Sequence, residues 1–143
     1  IMVRKLPKSE MMPGAVAAIE TVQKLGKKCA LATSSIKELF QAVSSPHQDV
    51  YSKIPLRITG DDPEVHKGKP APDIYLVTAK RLGVDPGKCV VLEDSTSGVK
   101  AALAAGMRAV WIPDLIHHPS EGLDSTLTND PNVTILNNLH EFI

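Results

Sequence analysis

Apolar residues recur along this chain in two alternating periods. Val16, Ile19, Val22 and Leu25 follow helical spacing and stop at Gly26, which predicts a helix opened by Pro13 and Gly14. Cys29-Ala30-Leu31-Ala32 is a short apolar run that ends in Thr33-Ser34-Ser35, and a second helix is expected from Ile36 to about Val43. Ser44 to Lys53 is polar and reads as loop, whereas Leu56-Arg57-Ile58-Thr59 alternates as an edge strand does. Ile74 to Leu82 returns to the helical period and stops at Gly83. Lys88 to Leu92 and Arg108 to Ile112 read as strands on either side of a helix from about Ser97 to Ala105. The run Val90-Val91-Leu92 has no polar alternation, as expected of a strand buried on both faces. Pro113 to Asn132 is polar and long for a structureless loop, so a short helical turn is expected within it. A last strand at Val133 to Leu136 and a terminal turn from Leu139 to Ile143 complete the pattern. Strand alternates with helix throughout, which predicts parallel βα units in a three-layer α/β/α, Rossmann-like sheet.

The chemistry sits where the apolar runs stop. In open α/β sheets ligands bind beyond the carboxyl ends of the strands. Glu93 and Asp94 end the Val90 run, and two carboxylates there suit a hard cation bound through oxygen; the plain alternative is one helix cap and one solvated acid. Thr33-Ser34-Ser35 ends the Cys29 run just before a helix, where hydroxyls and free N–H groups can cradle a phosphate, or simply cap the helix. Lys69 lies in Lys67-Gly68-Lys69-Pro70-Ala71-Pro72-Asp73. Pro70 keeps it out of the helical region, and the prolines mark the next helix start, so the lysine is expected just before that start, placed to meet an anion; a surface lysine with no role is the plain alternative. Asp73 reads as a helix-start or lysine-orienting residue, and Asp61 and Asp62 as loop caps, with a bearing on substrate choice as the alternative.

Composition narrows the reading. The chain has 143 residues, one domain's worth, with 16 basic and 16 acidic residues and zero formal net charge. That argues against a broad nucleic-acid or acidic-membrane surface, and no 18-residue apolar run is present to span a membrane. Aromatic residues are only 3%, so the core must be Val, Leu, Ile and Ala. Cys29 and Cys89 each begin a predicted strand and read as buried structural thiols, without metal-ligand spacing. His117-His118 reads as a solvated pair in a polar loop.

The order hydroxyl, lysine, acid pair resembles that of the haloacid dehalogenase-like hydrolases. Leu31-Ala32-Thr33-Ser34-Ser35 resembles that family's second motif, Gly68-Lys69-Pro70-Ala71-Pro72-Asp73 its third, and Leu92-Glu93-Asp94-Ser95 with Gly98-Val99 and Ala101-Ala102 its fourth. Met12-Pro13-Gly14 resembles the segment after the mobile cap in the β-phosphoglucomutase-like branch, and Gly60-Asp61-Asp62-Pro63-Glu64-Val65 resembles its pseudouridine-5′-phosphatase group. The family's first motif, Asp-x-Asp-Gly-Thr, supplies the nucleophile and the general acid/base, and no Asp-x-Asp occurs in this sequence. The chain therefore resembles the C-terminal part of the core domain (13–143), preceded by a connector (1–12) from a cap.

The resemblance implies a cytoplasmic, Mg²⁺-dependent phosphomonoesterase that acts on a small phosphorylated metabolite, such as pseudouridine 5′-phosphate, through an aspartyl phosphate. Thr33 and Ser34 would bind the phosphoryl group, Lys69 would neutralise its charge, and Asp94 with Glu93 would hold the metal. A phosphosugar mutase of the same branch shares every one of these motifs, and an inactive homologue serving as a binding module is a second alternative. A receiver-type signalling domain shares the architecture but places its acid pair first and its lysine last. The family's first strand lies between the Thr33 strand and the Glu93 strand. Without it, the structure is expected to show direct pairing of those two strands, a strand exchanged from a second copy, or a gap.

Overall fold

The computed structural model describes residues 11–113 and 123–142. Helix α1 (Ala15–Lys24) starts after Gly14, whose φ of 86° is left-handed and whose flank is closed by Leu139, only 3.0 Å from where a Cβ would lie. Strand β1 (Ala30–Ala32) leads to α2 (Lys37–Ser44). The expected loop at Ser44 to Lys53 is instead helical, with a 3₁₀ turn at Ser45–His47 followed by α3 (Gln48–Tyr51). Pro46 is pre-set for that turn. Val50 and Ile54 are buried, and the Tyr51 ring meets Phe40 edge to face at 5.3 Å. Three buried or ring contacts in ten residues hold a helix too short to show periodicity.

Strand β2 (Leu56–Ile58) pairs in parallel with β1, Ala30 opposite Leu56 and Ala32 opposite Ile58. Helix α4 (Asp73–Leu82) ends at Gly83, with φ 63°. A 3₁₀ turn at Pro86–Lys88 feeds β3 (Val90–Glu93), followed by α5 (Thr96–Ala104), β4 (Arg108–Trp111), α6 (Ser125–Thr128) and β5 (Val133–Ile135). A 3₁₀ turn at Leu139–Phe142 closes the described chain. Helix α6 is the short turn expected in the long polar stretch. His117 and His118, and residues 1–10 of the expected connector, lie outside the described residues.

All strand pairing is parallel, as the alternation predicted, in the orders β1-β2 and β3-β4-β5. Helix α4 packs on β1 and β2, α5 packs on β3 and β4, and the two helices touch. One core runs between these layers, with Ile58, Ile74, Val99, Ala109 and Trp111 all nearly inaccessible. Val110 and Ile112 point to the other face of β4 and meet Leu139, with Ala15 of α1 alongside. Helical structure thus covers both faces of β4.

Among the described residues no pairing joins β1 to β3, so direct pairing of those two strands is not observed. This corrects the expectation that Val90 to Leu92 is buried on both faces. Val90 is 44% and Leu92 38% exposed, because β3 is an edge of its sheet and only its Val91 and Glu93 face turns inward. The cysteines are corrected for a related reason. Cys29 and Cys89 each lie one residue before a strand, at the open bottom of a sheet, and both are half-buried. Burial still pushes both thiols above their ordinary range, and Asp85 adds to this at Cys89.

Candidate active site

The carboxyl ends of β1 and β3 open into one cleft of about 610 Å³, lined by Thr33, Ser34, Ser35, Lys69, Glu93, Asp94, Ser95 and Ser97. Residues that lie far apart in sequence are thereby gathered at one mouth, as strand ends in an α/β sheet require.

The Thr33 loop is stitched to the loop after β2. Thr33 N–H donates to Ile58 O at 3.0 Å and Gly60 N–H to Ser35 O at 2.9 Å. A Cβ on Gly60 would lie 2.4 Å from Ser34 O, so this close approach requires glycine. Asp61 Oδ1 accepts from the Lys37 N–H at 3.0 Å, capping the first turn of α2 from across the cleft wall. Asp62 accepts from the Glu64 N–H at 3.1 Å and takes both ends of the Arg81 guanidinium at 2.7 Å. Both acids are therefore loop caps, as their sequence context suggested, and Arg81 foremost holds the Asp62 carboxyl below the usual range. Thr33 Oγ1 accepts from Ser35 N–H at 3.2 Å, which leaves its own proton available to an incoming acceptor.

The lysine loop is held from behind. Asp73, the first residue of α4, accepts from the N–H groups of His66 at 3.1 Å and Lys67 at 3.0 Å. Of the two readings for Asp73, its place at the start of α4 is the helix-start one, and its bonds fasten the backbone of the loop that leads to Lys69. The Lys69–Pro70 peptide is cis. Lys69 sits four residues upstream of α4, before a helix start as its proline context suggested, and extends its ammonium to Glu93 Oε1. The two side chains are only 10% and 7% exposed.

Glu93 is the hub of the site. Its Oε1 receives Lys69 and the phenol of Tyr75, and its Oε2 receives Ser95 Oγ at 3.1 Å. A Cβ on Gly98 would fall 2.0 Å from its Cδ, so the first turn of α5 leaves room for this carboxylate only because residue 98 is glycine. Ser95 caps that turn, accepting from Gly98 N–H at 3.1 Å. Glu93 is thus the lysine's counter-ion, with donors on both oxygens. Asp94 lies exposed at the mouth, its backbone carbonyl held by Trp111 Nε1 at 3.2 Å.

Tyr75 was not singled out by sequence reasoning, and Gly98 entered only as part of the fourth motif, without a role. The available signal was chemical: a phenol in a core-facing helical position needs a polar partner. Burial foremost, with the Glu93 charge second, pushes the Tyr75 phenol far above its ordinary range, so it is a donor at any physiological pH.

Among the described residues no group of three or more His, Cys, Asp and Glu side chains could hold a metal ion. Mg²⁺ commonly takes only one or two carboxylates and fills its remaining positions with phosphate oxygens and water. A carboxylate at an exposed position of the mouth, as Asp94 is, fits that partial donor set.

The class that emerges is a parallel α/β core with hydroxyl, lysine and carboxylate gathered at its strand ends. The model of the haloacid dehalogenase-like hydrolases matches residues 3–106, and the chain belongs to that family. It is 40% identical over 109 residues to the probable pseudouridine-5′-phosphatase of Drosophila melanogaster, covering 74% of this chain and 47% of that protein. It is 39% identical over 111 residues to (DL)-glycerol-3-phosphatase 1, mitochondrial, of Arabidopsis thaliana, covering 76% of this chain and 37% of that protein. A β-phosphoglucomutase-like structure from Thermotoga maritima superposes with a TM-score of 0.74 at 33% identity, over 90% of this chain and 56% of that one. The chain therefore spans less than half the length of these two curated relatives.

Proposed function

We propose that this chain supplies the phosphate-binding and charge-neutralising half of a phosphomonoesterase site. The observation that carries the reading is the convergence of Thr33, Ser34, Lys69 and Asp94 on one cleft from three separate loops. In a reaction of this class a carboxylate outside these 143 residues attacks phosphorus, the alcohol leaves with a proton, and water then releases phosphate from the aspartyl phosphate. Thr33 donates its hydroxyl to a phosphoryl oxygen. Lys69, held by Glu93 and Tyr75, offers fixed positive charge where negative charge accumulates. Asp94, with Glu93 behind it, would hold Mg²⁺, which would supply Lewis-acid charge neutralisation.

The substrate is a small phosphorylated metabolite. The Gly60-to-Val65 match and the Drosophila relative favour pseudouridine 5′-phosphate, while the Arabidopsis relative makes glycerol 3-phosphate the comparison of choice. Phosphate release by the whole protein from a panel of nucleoside, sugar and polyol phosphates, with Mg²⁺ or with chelator, tests the reading. Mg²⁺-dependent release, greatest on pseudouridine 5′-phosphate, is expected. No turnover on any ester would refute the phosphatase reading, and interconversion of sugar phosphates without phosphate release would move it to a mutase.

A further inference from the structure

A lysine that neutralises a phosphoryl group must be held in place, yet its four-carbon stem has many rotamers. Glu93 alone fixes one point of the ammonium. Tyr75 supplies a second. It sits in the first turn of α4, 5% exposed, and touches both members of the ion pair. Its O–H donates to Glu93 Oε1, the oxygen that Lys69 uses, and its ring lies 5.0 Å from Lys69 Nζ, within reach of a cation–π contact. Ser95 occupies the other oxygen, so Glu93 cannot turn without losing a donor on each side. The deletion of one hydroxyl would leave Oε1 to the ammonium alone and free the carboxylate to follow it.

We propose that Tyr75 is a positioning residue: its hydroxyl and ring together fix the Glu93 carboxylate and the Lys69 ammonium at the phosphate side of the cleft. This rests on the reading of Lys69 given above. Tyr75→Phe in the whole protein keeps the ring and the packing and removes only the O–H. Two readouts are taken with it: kcat and KM on the best-cleaved phosphomonoester, and the ¹H–¹⁵N signal of the Lys69 ammonium, assigned by its loss in Lys69→Ala. The expected result is kcat lowered about tenfold with KM within about twofold, and an ammonium signal that shifts or broadens away, alongside a melting temperature lower by about a few degrees from the lost hydrogen bond. Tyr75→Leu, which also removes the ring, should lower kcat further. A Tyr75→Phe protein with kcat within twofold of wild type overturns the proposal, as does one whose ammonium signal is unchanged or in which only the melting temperature moves. If the wild-type protein cleaves no phosphate ester, the phosphatase reading falls, and the ammonium signal alone still decides for or against the positioning role.

Discussion

Gly98→Ala is the sharpest probe of how the site is built. An added Cβ would lie 2.0 Å from Glu93 Cδ and 2.1 and 2.3 Å from its oxygens, distances no side chain tolerates. The carboxylate has to move, and it is held by Lys69, Tyr75 and Ser95 in a pocket where Glu93 is 9% exposed. Loss of a partner from a buried ion pair costs about 3–5 kcal/mol. The cleft is open enough for water to reach the displaced group, which reduces this to about 2–4 kcal/mol. Alanine returns about 0.5–1 kcal/mol of helix propensity in α5. The net loss should be about 1–3.5 kcal/mol, a shift on the order of 1 M in the urea midpoint of the whole protein. The same substitution in a Glu93→Ala background should be neutral or slightly stabilising, because the clash partner is gone. Gly68→Ala, where nothing lies within 4 Å and φ is not left-handed, should change stability little. A Gly98→Ala protein as stable as wild type, or an equal loss in the Glu93→Ala background, would refute this account of the first turn of α5.

Two further outcomes follow from the same structure. Asp124 accepts from Thr126 N–H at 2.9 Å and Thr126 Oγ1 at 2.6 Å and pairs with Lys100 at 3.0 Å, which lowers its carboxyl from 3.8 to about 2. A depressed carboxylate contributes stability above its unfolded value and loses it as pH falls from about 3.8 toward about 2, so Asp124→Asn should flatten urea midpoints in that window; an identical pH profile would contradict this. The 143 residues alone should release no phosphate from any ester, since they contain no Asp-x-Asp and β1 and β3 share no pairing among the described residues; turnover by the isolated chain would overturn the assignment of the nucleophile to another segment.

The helical periods and the strand ends carried most of the fold. The stop at Gly83 and the α/β alternation were legible because each is a local signal, read within one turn or one strand. The helix at Gln48–Tyr51 was not, because four residues have no period and its stability comes from Val50, Ile54 and the Phe40 ring. The exposure of Val90 and Leu92 was not legible either, since an apolar run reports its own composition and not which neighbours cover it. At the site, sequence order named Thr33, Lys69 and Asp94 as candidates, and one cleft is lined by all three. The inward turn of Glu93 toward Lys69 and Tyr75 needed coordinates, because nothing in the order of residues says which of two adjacent acids faces the core.

In the proposed function Lys69, and not its neighbour two residues earlier, carries charge to the phosphoryl group. Lys69 lines the cleft on Glu93, whereas Lys67 is exposed and engages Asp73 through its backbone N–H. The deciding measurement is kcat of Lys69→Ala and Lys67→Ala in the whole protein on its best phosphomonoester. A loss of about 10²–10³-fold for Lys69→Ala, with only a few-fold change for Lys67→Ala, is predicted. Equal rates, or a larger loss from Lys67→Ala, would contradict the placement of the site.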